Sequence, residues 1–245
     1  MAWRGLVLCY HAVSEEWPHL LSTGLAQLER QLEGLLGRGY RPVRADELLN
    51  GGGRFLHVTF DDAFRSVERA LPLLERLGVP ATVFACSGYA DGGRPLDVPE
   101  LEAQVRAYPD ALATMDWDAL RALVERGIEV GSHTVSHPHL PRLGDEEVRR
   151  ELVESRERLE DELRRPCRFL AYPFGDEGER VRAAAEAAGY EAAFGLPGRE
   201  RRIDRFSLPR VGVYRGDTRL RWAVKTHGFA RRPAAAILRA AGRRA

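Results

Sequence analysis

Phe55-Leu56-His57-Val58-Thr59-Phe60, running straight into Asp61-Asp62, is the stretch that decides the fold class. Its β-branched and aromatic residues read as a buried strand, and Phe64 to Leu77 reads as a helix stopped by Gly78. A strand followed by a helix, with two carboxylates at the junction, is one unit of a parallel α/β sheet. Such sheets build their sites at the carboxyl ends of the strands.

The same unit recurs on both sides. Upstream, Leu6 to Tyr10 reads as a strand and Leu25 to Leu36 as a helix capped by Ser22 or Thr23 and closed by Gly37. Downstream come strand Thr82 to Cys86, helix Trp117 to Arg126, strand Ile128 to Gly131 and the long charged helix Asp145 to Leu163. Strand Phe169 to Tyr172, helix Val181 to Ala188 and extended runs at Ala192 to Phe194 and Pro209 to Val213 complete the series. About seven such units predict a closed or nearly closed (β/α) barrel with helices outside. Gly88 to Pro109, with Gly92-Gly93 and three prolines, reads as a long loop over the barrel mouth, in the position of a lid.

With 245 residues, 44% hydrophobic and 30% charged, the chain has ample material for one core. Its 37 basic and 36 acidic residues nearly cancel, which argues against nucleic acid as a partner. Cys9, Cys86 and Cys167 are odd in number and widely spaced, so they suggest neither a disulfide framework nor a thiolate zinc site. The N-terminus lacks a signal-peptide pattern and no run reaches membrane-spanning length, so the expected location is the cytoplasm. From Arg215 onward nine Arg or Lys stand against the single acid Asp217. Residues 216–245 are accordingly set apart from a barrel of residues 1–215. They read as a basic helix or tail, either solvated or in peripheral contact with an anionic membrane.

Two further stretches follow strands. His133-Thr134-Val135-Ser136-His137 places two imidazoles four residues apart, and two imidazoles with one carboxylate make a three-ligand metal site with a position left for water. A metal on one of the paired carboxylates would relieve their repulsion and leave the other as a base. The plainer alternative makes Asp61 or Asp62 a helix cap. Ala171-Tyr172-Pro173-Phe174-Gly175 forms a turn whose Phe174 N–H could face a developing oxyanion.

Together these stretches resemble the polysaccharide deacetylases, the NodB-homology group of carbohydrate esterases. Thr59 to Asp62 is similar to the family's T-F-D-D-G motif, His133 to His137 to H-[ST]-x-x-H, and Tyr172 to Gly175 to Y-P-[YF]-G. Pro80 to Phe84, Gly131 to Thr134 and Leu208 to Val211 are lesser echoes, and the likeness spans residues 5 to 215. It implies a distorted barrel of NodB-homology type with a divalent metal on Asp62, His133 and His137. Zinc is the first expectation, with cobalt, nickel or manganese as alternatives. Asp61 would be the general base, with Phe174 at the oxyanion. His11, matching the Y-H opening of one family branch, would be the general acid, preferred over His227. Tyr172 and Pro173 would line the substrate groove.

Two departures stand out. The family's glycine after T-F-D-D is Ala63, expected to be tolerated at a helix start. The arginine that many members place before the third motif is Ala171, and Arg210 is expected to supply its charge from another strand. The reaction implied is removal of N-acetyl groups from N-acetylhexosamine in an oligo- or polysaccharide or a glycolipid. Hydrolysis of another amide or an O-acetyl ester, and an inactive glycan-binding barrel, are the alternatives.

Overall fold

A computed structural model describes residues 5–49, 53–196 and 204–227. Along the chain lie β1 (Leu6–Tyr10), β2 (Ala12–Val13), β3 (Ser22–Thr23), α1 (Leu25–Leu36), β4 (Arg41–Pro42), β5 (Phe55–Phe60), α2 (Leu71–Leu77) and β6 (Ala81–Ala85). There follow α3 (Glu102–Ala107), α4 (Trp117–Glu125), β7 (Glu129–Ser132), α5 (Asp145–Leu163), β8 (Phe169–Ala171), α6 (Glu179–Ala187), β9 (Ala192–Gly195), β10 (Leu208–Pro209), β11 (Val211–Gly212) and α7 (Arg219–Thr226).

The main sheet runs β10-β9-β8-β7-β6-β5-β1-β11, every pairing parallel, with β4 added beside β5. Leu208 pairs with Phe194 of β9 and Val211 with Leu8 of β1, so one five-residue segment joins the two edges. The sheet thereby returns on itself as a distorted barrel, and Arg210 stands at the closing point.

Strand alternation sorts side chains between two layers. Val7, Phe55, Phe84, Phe169, Phe194 and Leu208 fill the interior, whereas Leu8, Val58, Val83 and Leu170 meet the helices outside. Gly131 belongs to this arrangement: a Cβ there would lie 2.6 Å from the Phe84 ring and 2.8 Å from the Phe169 carbonyl.

Several expectations need correction. The stretch before α2 is a 3-10 turn, Arg65–Ala70, because Pro72 has no N–H to carry an α-helix through this point. Ser22 and Thr23 do not cap α1; they form β3, paired with β2, and Gly24 precedes the helix. Residues 88–109 are not a bare loop. They carry α3 and, together with Leu112, a small core in which Tyr89, Leu96, Val98 and Leu101 pack with Trp17 and Phe64. Within residues 216–245, expected as a helix or tail apart from the barrel, the helix α7 is docked on it: Thr226 accepts from Arg38 and Tyr40, and Trp222 packs on the main core. Residues 228–245 lie outside the described residues. Among the described residues no helix is long and apolar enough to cross a membrane.

Candidate active site

The motif residues meet at the carboxyl ends of β1, β5, β7 and β8. Ligand atoms of Asp62, His133 and His137 lie within 4.8 Å of one another, and all three residues are buried. Asp62 Oδ1 is 3.3 Å from His137 Nε2 and 3.5 Å from His133 Nε2. Neither approach has hydrogen-bond geometry, so Asp62 Oδ1 is buried without a hydrogen-bond partner, and on the other edge of its ring His137 Nδ1 has none either. Buried polar atoms are rarely left so.

The protonation state of His133 follows from its partner. Its Nδ1 is 2.8 Å from the Ala171 carbonyl, which can only accept, so Nδ1 carries the proton and the Nε2 lone pair faces Asp62. Burial pulls its pKa down to about 4, keeping the ring neutral. Burial also depresses His137, but the adjacent Asp62 carboxylate more than offsets this and its pKa is raised. Two inward imidazoles and a carboxylate, one oxygen of it orphaned, form a donor set that fits a divalent cation with ligand positions to spare.

Asp61 has different company. Arg210 grips it with both ends of its guanidinium, Nη1 to Oδ1 at 2.5 Å and Nη2 to Oδ2 at 2.8 Å. Burial would raise the Asp61 pKa, but the charge and hydrogen bonds of Arg210, with His133, hold it well below the usual carboxylate range. Arg210 is itself buried across the barrel interior, donating also to Thr59 Oγ1 and the Gly195 carbonyl. The Cys9 thiol, pushed up in pKa by burial, donates to Asp61 Oδ2 at 3.3 Å. A His11 nitrogen lies within 4.8 Å of Cys9 Sγ and an Asp61 oxygen, and His11 Nδ1 has no hydrogen-bond partner.

Backbone strain is concentrated here. Among the described residues six non-glycine residues have left-handed φ, and five of them are Asp62, Ala63, Thr134, His137 and Phe174. Such conformations cost of order 1–3 kcal/mol each and persist where surroundings enforce them, often at functional sites. Neither aspartate caps a helix, since the following 3-10 turn begins only at Arg65 after Phe64. Ala63 is therefore no helix start: φ 46° puts it where glycine is favoured.

The third motif forms the wall beside the histidines. Phe174 stacks on His139 at 3.8 Å and meets His137 edge-on at 4.6 Å, walling the site. The N–H groups of Gly175 and Asp176 go to the carbonyls of Tyr172 and Pro173. Tyr172 is fully buried and its hydroxyl donates to the Phe206 carbonyl, so it offers no face to a sugar; its ring is core. Pro173 is buried beneath the turn, and Arg210 is committed to Asp61, so neither side chain reaches a substrate groove. His139, bonded to Asp176 and facing Glu100, stands at the rim. His227 lies beyond α7, bonded to the Ala223 carbonyl within its own segment.

Sequence reasoning missed the supports beneath the histidine motif. Glu151 of α5 is buried and accepts from the N–H groups of Val135 and Ser136 at 2.9 Å each and from the Ser136 hydroxyl at 2.7 Å. One turn on, Ser155 donates to the Thr134 carbonyl at 3.0 Å. Their signal was present: both fall on the buried stripe of Val148, Leu152 and Leu159, where a charge needs a partner.

Comparison with known proteins extends these observations. The family model described as Polysaccharide deacetylase matches residues 49–193. YxkH of Bacillus subtilis, provisionally named a polysaccharide deacetylase, is 24% identical over 193 residues, 76% of this chain and 62% of that protein. The chitooligosaccharide deacetylase of Sinorhizobium fredii is 28% identical over 148 residues, 58% of this chain and 56% of that one. The chain thus spans less than two thirds the length of either curated relative. Among solved structures, IcaB from Ammonifex degensii superposes with a TM-score of 0.75 at 22% identity, covering 95% of this chain and 99% of that one. The Streptococcus pyogenes deacetylase PplD, solved in complex with acetate, gives 0.73 at 18% identity over 91% and 97%.

Proposed function

This chain belongs to the polysaccharide deacetylase family, and from that premise we propose that it is a metal-dependent hydrolase removing N-acetyl groups from N-acetylhexosamine units of an oligo- or polysaccharide or a glycolipid. The observation that carries the reading is the pair of neighbouring carboxylates with opposite partners. Asp62 faces two imidazoles and keeps an orphaned oxygen, while Asp61 is saturated by Arg210.

Asp62, His133 and His137 would hold the cation. When bound, a divalent ion there supplies Lewis acidity, which brings the pKa of water from 15.7 towards about 7 and polarises a carbonyl. Asp61, kept ionised by Arg210, takes a proton from the water whose oxygen bonds to the acetyl carbon. The Phe174 N–H, in a backbone turned by its left-handed φ of 61°, supports the oxyanion that forms. His11 gives a proton to the amide nitrogen as the C–N bond breaks, leaving acetate and a free amine. His11 follows β1 and Asp61 follows β5, so acid and base come from different strands.

Arg210 also bears on the alternative of an inactive glycan-binding barrel. A missing family arginine at Ala171 would favour that reading, but Arg210 places a bidentate guanidinium on Asp61, the carboxylate such an arginine would serve. A binder has no use for a base held ionised in this way.

The test begins with chelator-stripped protein titrated with zinc in a calorimeter. One equivalent should bind to wild type and to Asp61→Asn, and none to His133→Ala. Acetate release from N-acetylated chitooligosaccharides should fall by about 10²–10⁴ in Asp61→Asn, the usual weight of a general base. Undiminished release by that variant, or release only from O-acetylated sugars, would reject the proposal.

A further inference from the structure

Among the described residues four large apolar side chains are exposed: Leu20 (54%), Leu25, Leu220 (75%) and Val224. Isolated exposed leucines need no explanation, but these four come from only two segments. Leu20 lies in the loop between β2 and β3, and Leu25 opens α1; Leu220 and Val224 lie one turn apart on α7.

Hydrogen bonds tie the two segments together. The Arg215 N–H donates to the Leu20 carbonyl at 3.0 Å, and Gln27 Nε2 donates to the Tyr214 carbonyl at 3.2 Å. The Arg215 guanidinium reaches the carbonyls of Ser14, Glu15 and Trp17. The junction follows the carboxyl ends of β1 and β11, so these side chains stand at the rim that carries the site. With Thr226 buried and Trp222 packed on the core, α7 turns Leu220, Arg221, Val224 and His227 outward.

The unpaired charge around this face is mostly basic. Arg219 and Arg221 are exposed beside Leu220 and make no ion pair among the described residues, whereas Asp217 is occupied by Lys225 and Glu16 faces Arg69. Glu15, against Gly24, is the remaining nearby acid. The sequence after His227 adds Arg231, Arg232, Arg239, Arg243 and Arg244 and no acid.

We propose that this rim docks on an anionic phospholipid surface, with the leucines and Val224 entering the interface and the arginines meeting the headgroups. A second copy of the chain is a poorer occupant, because a two-fold interface would set Arg219 and Arg221 against themselves. The docking goes beyond the deacetylase reading and does not depend on it. Taken with that reading, it turns the mouth of the site towards glycans carried at a membrane.

Flotation of the full chain with vesicles tests it. The protein should float with phosphatidylcholine–phosphatidylglycerol vesicles and not with phosphatidylcholine alone, and added salt should weaken the binding. The double variant Leu20→Ser, Leu220→Ser keeps every charge and removes only exposed groups, so its thermal unfolding should be unchanged. Its partition into anionic vesicles should drop by about tenfold or more. A Leu220→Trp variant should show blue-shifted emission when the same vesicles are added. Wild type that ignores anionic vesicles, a double variant that floats like wild type, or a concentration-dependent dimer that the double variant abolishes would each overturn the proposal. A chain that floats as expected yet releases no acetate from acetylated oligosaccharides upholds the docking and rejects only the deacetylase reading.

Discussion

Asp61 and Asp62 are adjacent in the chain and differ only in what surrounds them. Asp61 has two hydrogen bonds from one guanidinium; Asp62 has two imidazoles and an unmet oxygen. A guanidinium fork holds a carboxylate in one orientation, which an ammonium cannot do. Arg210→Lys should therefore keep the charge and still lower kcat/KM for acetate release by about 10²-fold, with the loss in kcat more than in KM. Arg210→Ala should also destabilise the fold by about 3–5 kcal/mol in urea titration, because a buried carboxylate loses its counter-charge. Full activity in Arg210→Lys would show that the fork is unnecessary. Ala63 makes a smaller prediction. Its left-handed φ costs an L-residue roughly 1–2 kcal/mol that glycine avoids, partly offset by glycine's greater freedom when unfolded. Ala63→Gly should raise unfolding stability by roughly 0.5 kcal/mol; a loss would mean the buried methyl matters more than the backbone.

Between elements, the histidine motif depends on α5. Glu151 holds the two N–H groups of Val135 and Ser136 between His133 and His137, and groups that orient metal ligands are typically worth 10–100-fold in affinity. Glu151→Ala should weaken zinc binding by about that factor while His133 and His137 remain, measured by competition with a chromogenic chelator. A second link, His57, joins β5 to the end of β4 and to β6 through the Val43 carbonyl at 2.8 Å and Thr82 Oγ1 at 3.0 Å. Burial lowers its pKa to about 4 from an ordinary 6.5. Between those values the unfolded chain binds the extra proton, so stability from this group is present above 6.5 and is lost as pH falls to about 4. The loss is about 3 kcal/mol in all. In His57→Gln the slope of unfolding free energy against pH across that window should flatten; an unchanged slope would assign the proton elsewhere. The regular elements were legible because strands such as β1 and β5 are short apolar runs and α5 has a helical stripe and a clear stop. The small core of residues 88–112 was not, since Tyr89, Leu96, Val98 and Leu101 follow no period and meet Trp17 and Phe64 only through tertiary contact. Likewise the two histidines and the carboxylate pair could be read from strand ends, with the choice of Asp62 over Asp61 resting on the family resemblance, whereas the burial of Tyr172 depends on Phe206, a distant partner.

On the scale of the whole molecule, the barrel and the site close at the same place. Leu208–Pro209 completes one edge of the sheet, Val211–Gly212 the other, and Arg210 between them reaches Asp61. This segment lies beyond residues 49–193, where the family likeness is matched. A chain ending after Gly195 would keep every expected metal ligand yet expose the edges of β1 and β9, lose Leu208 and Val213 from the core, and leave Asp61 without its cation. An uncompensated buried charge alone costs about 3–5 kcal/mol, against a total stability of about 5–15 kcal/mol for a typical domain. The shortened chain should therefore show no cooperative unfolding transition by circular dichroism and should elute as aggregate in size exclusion. A chain ending after His227 retains the closing segment and the anchors of Arg38 and Tyr40 on Thr226, and it should unfold cooperatively. If the chain ending at Gly195 also unfolded cooperatively and bound zinc, the barrel would not depend on its closure, and the grip of Arg210 on Asp61 would serve catalysis alone.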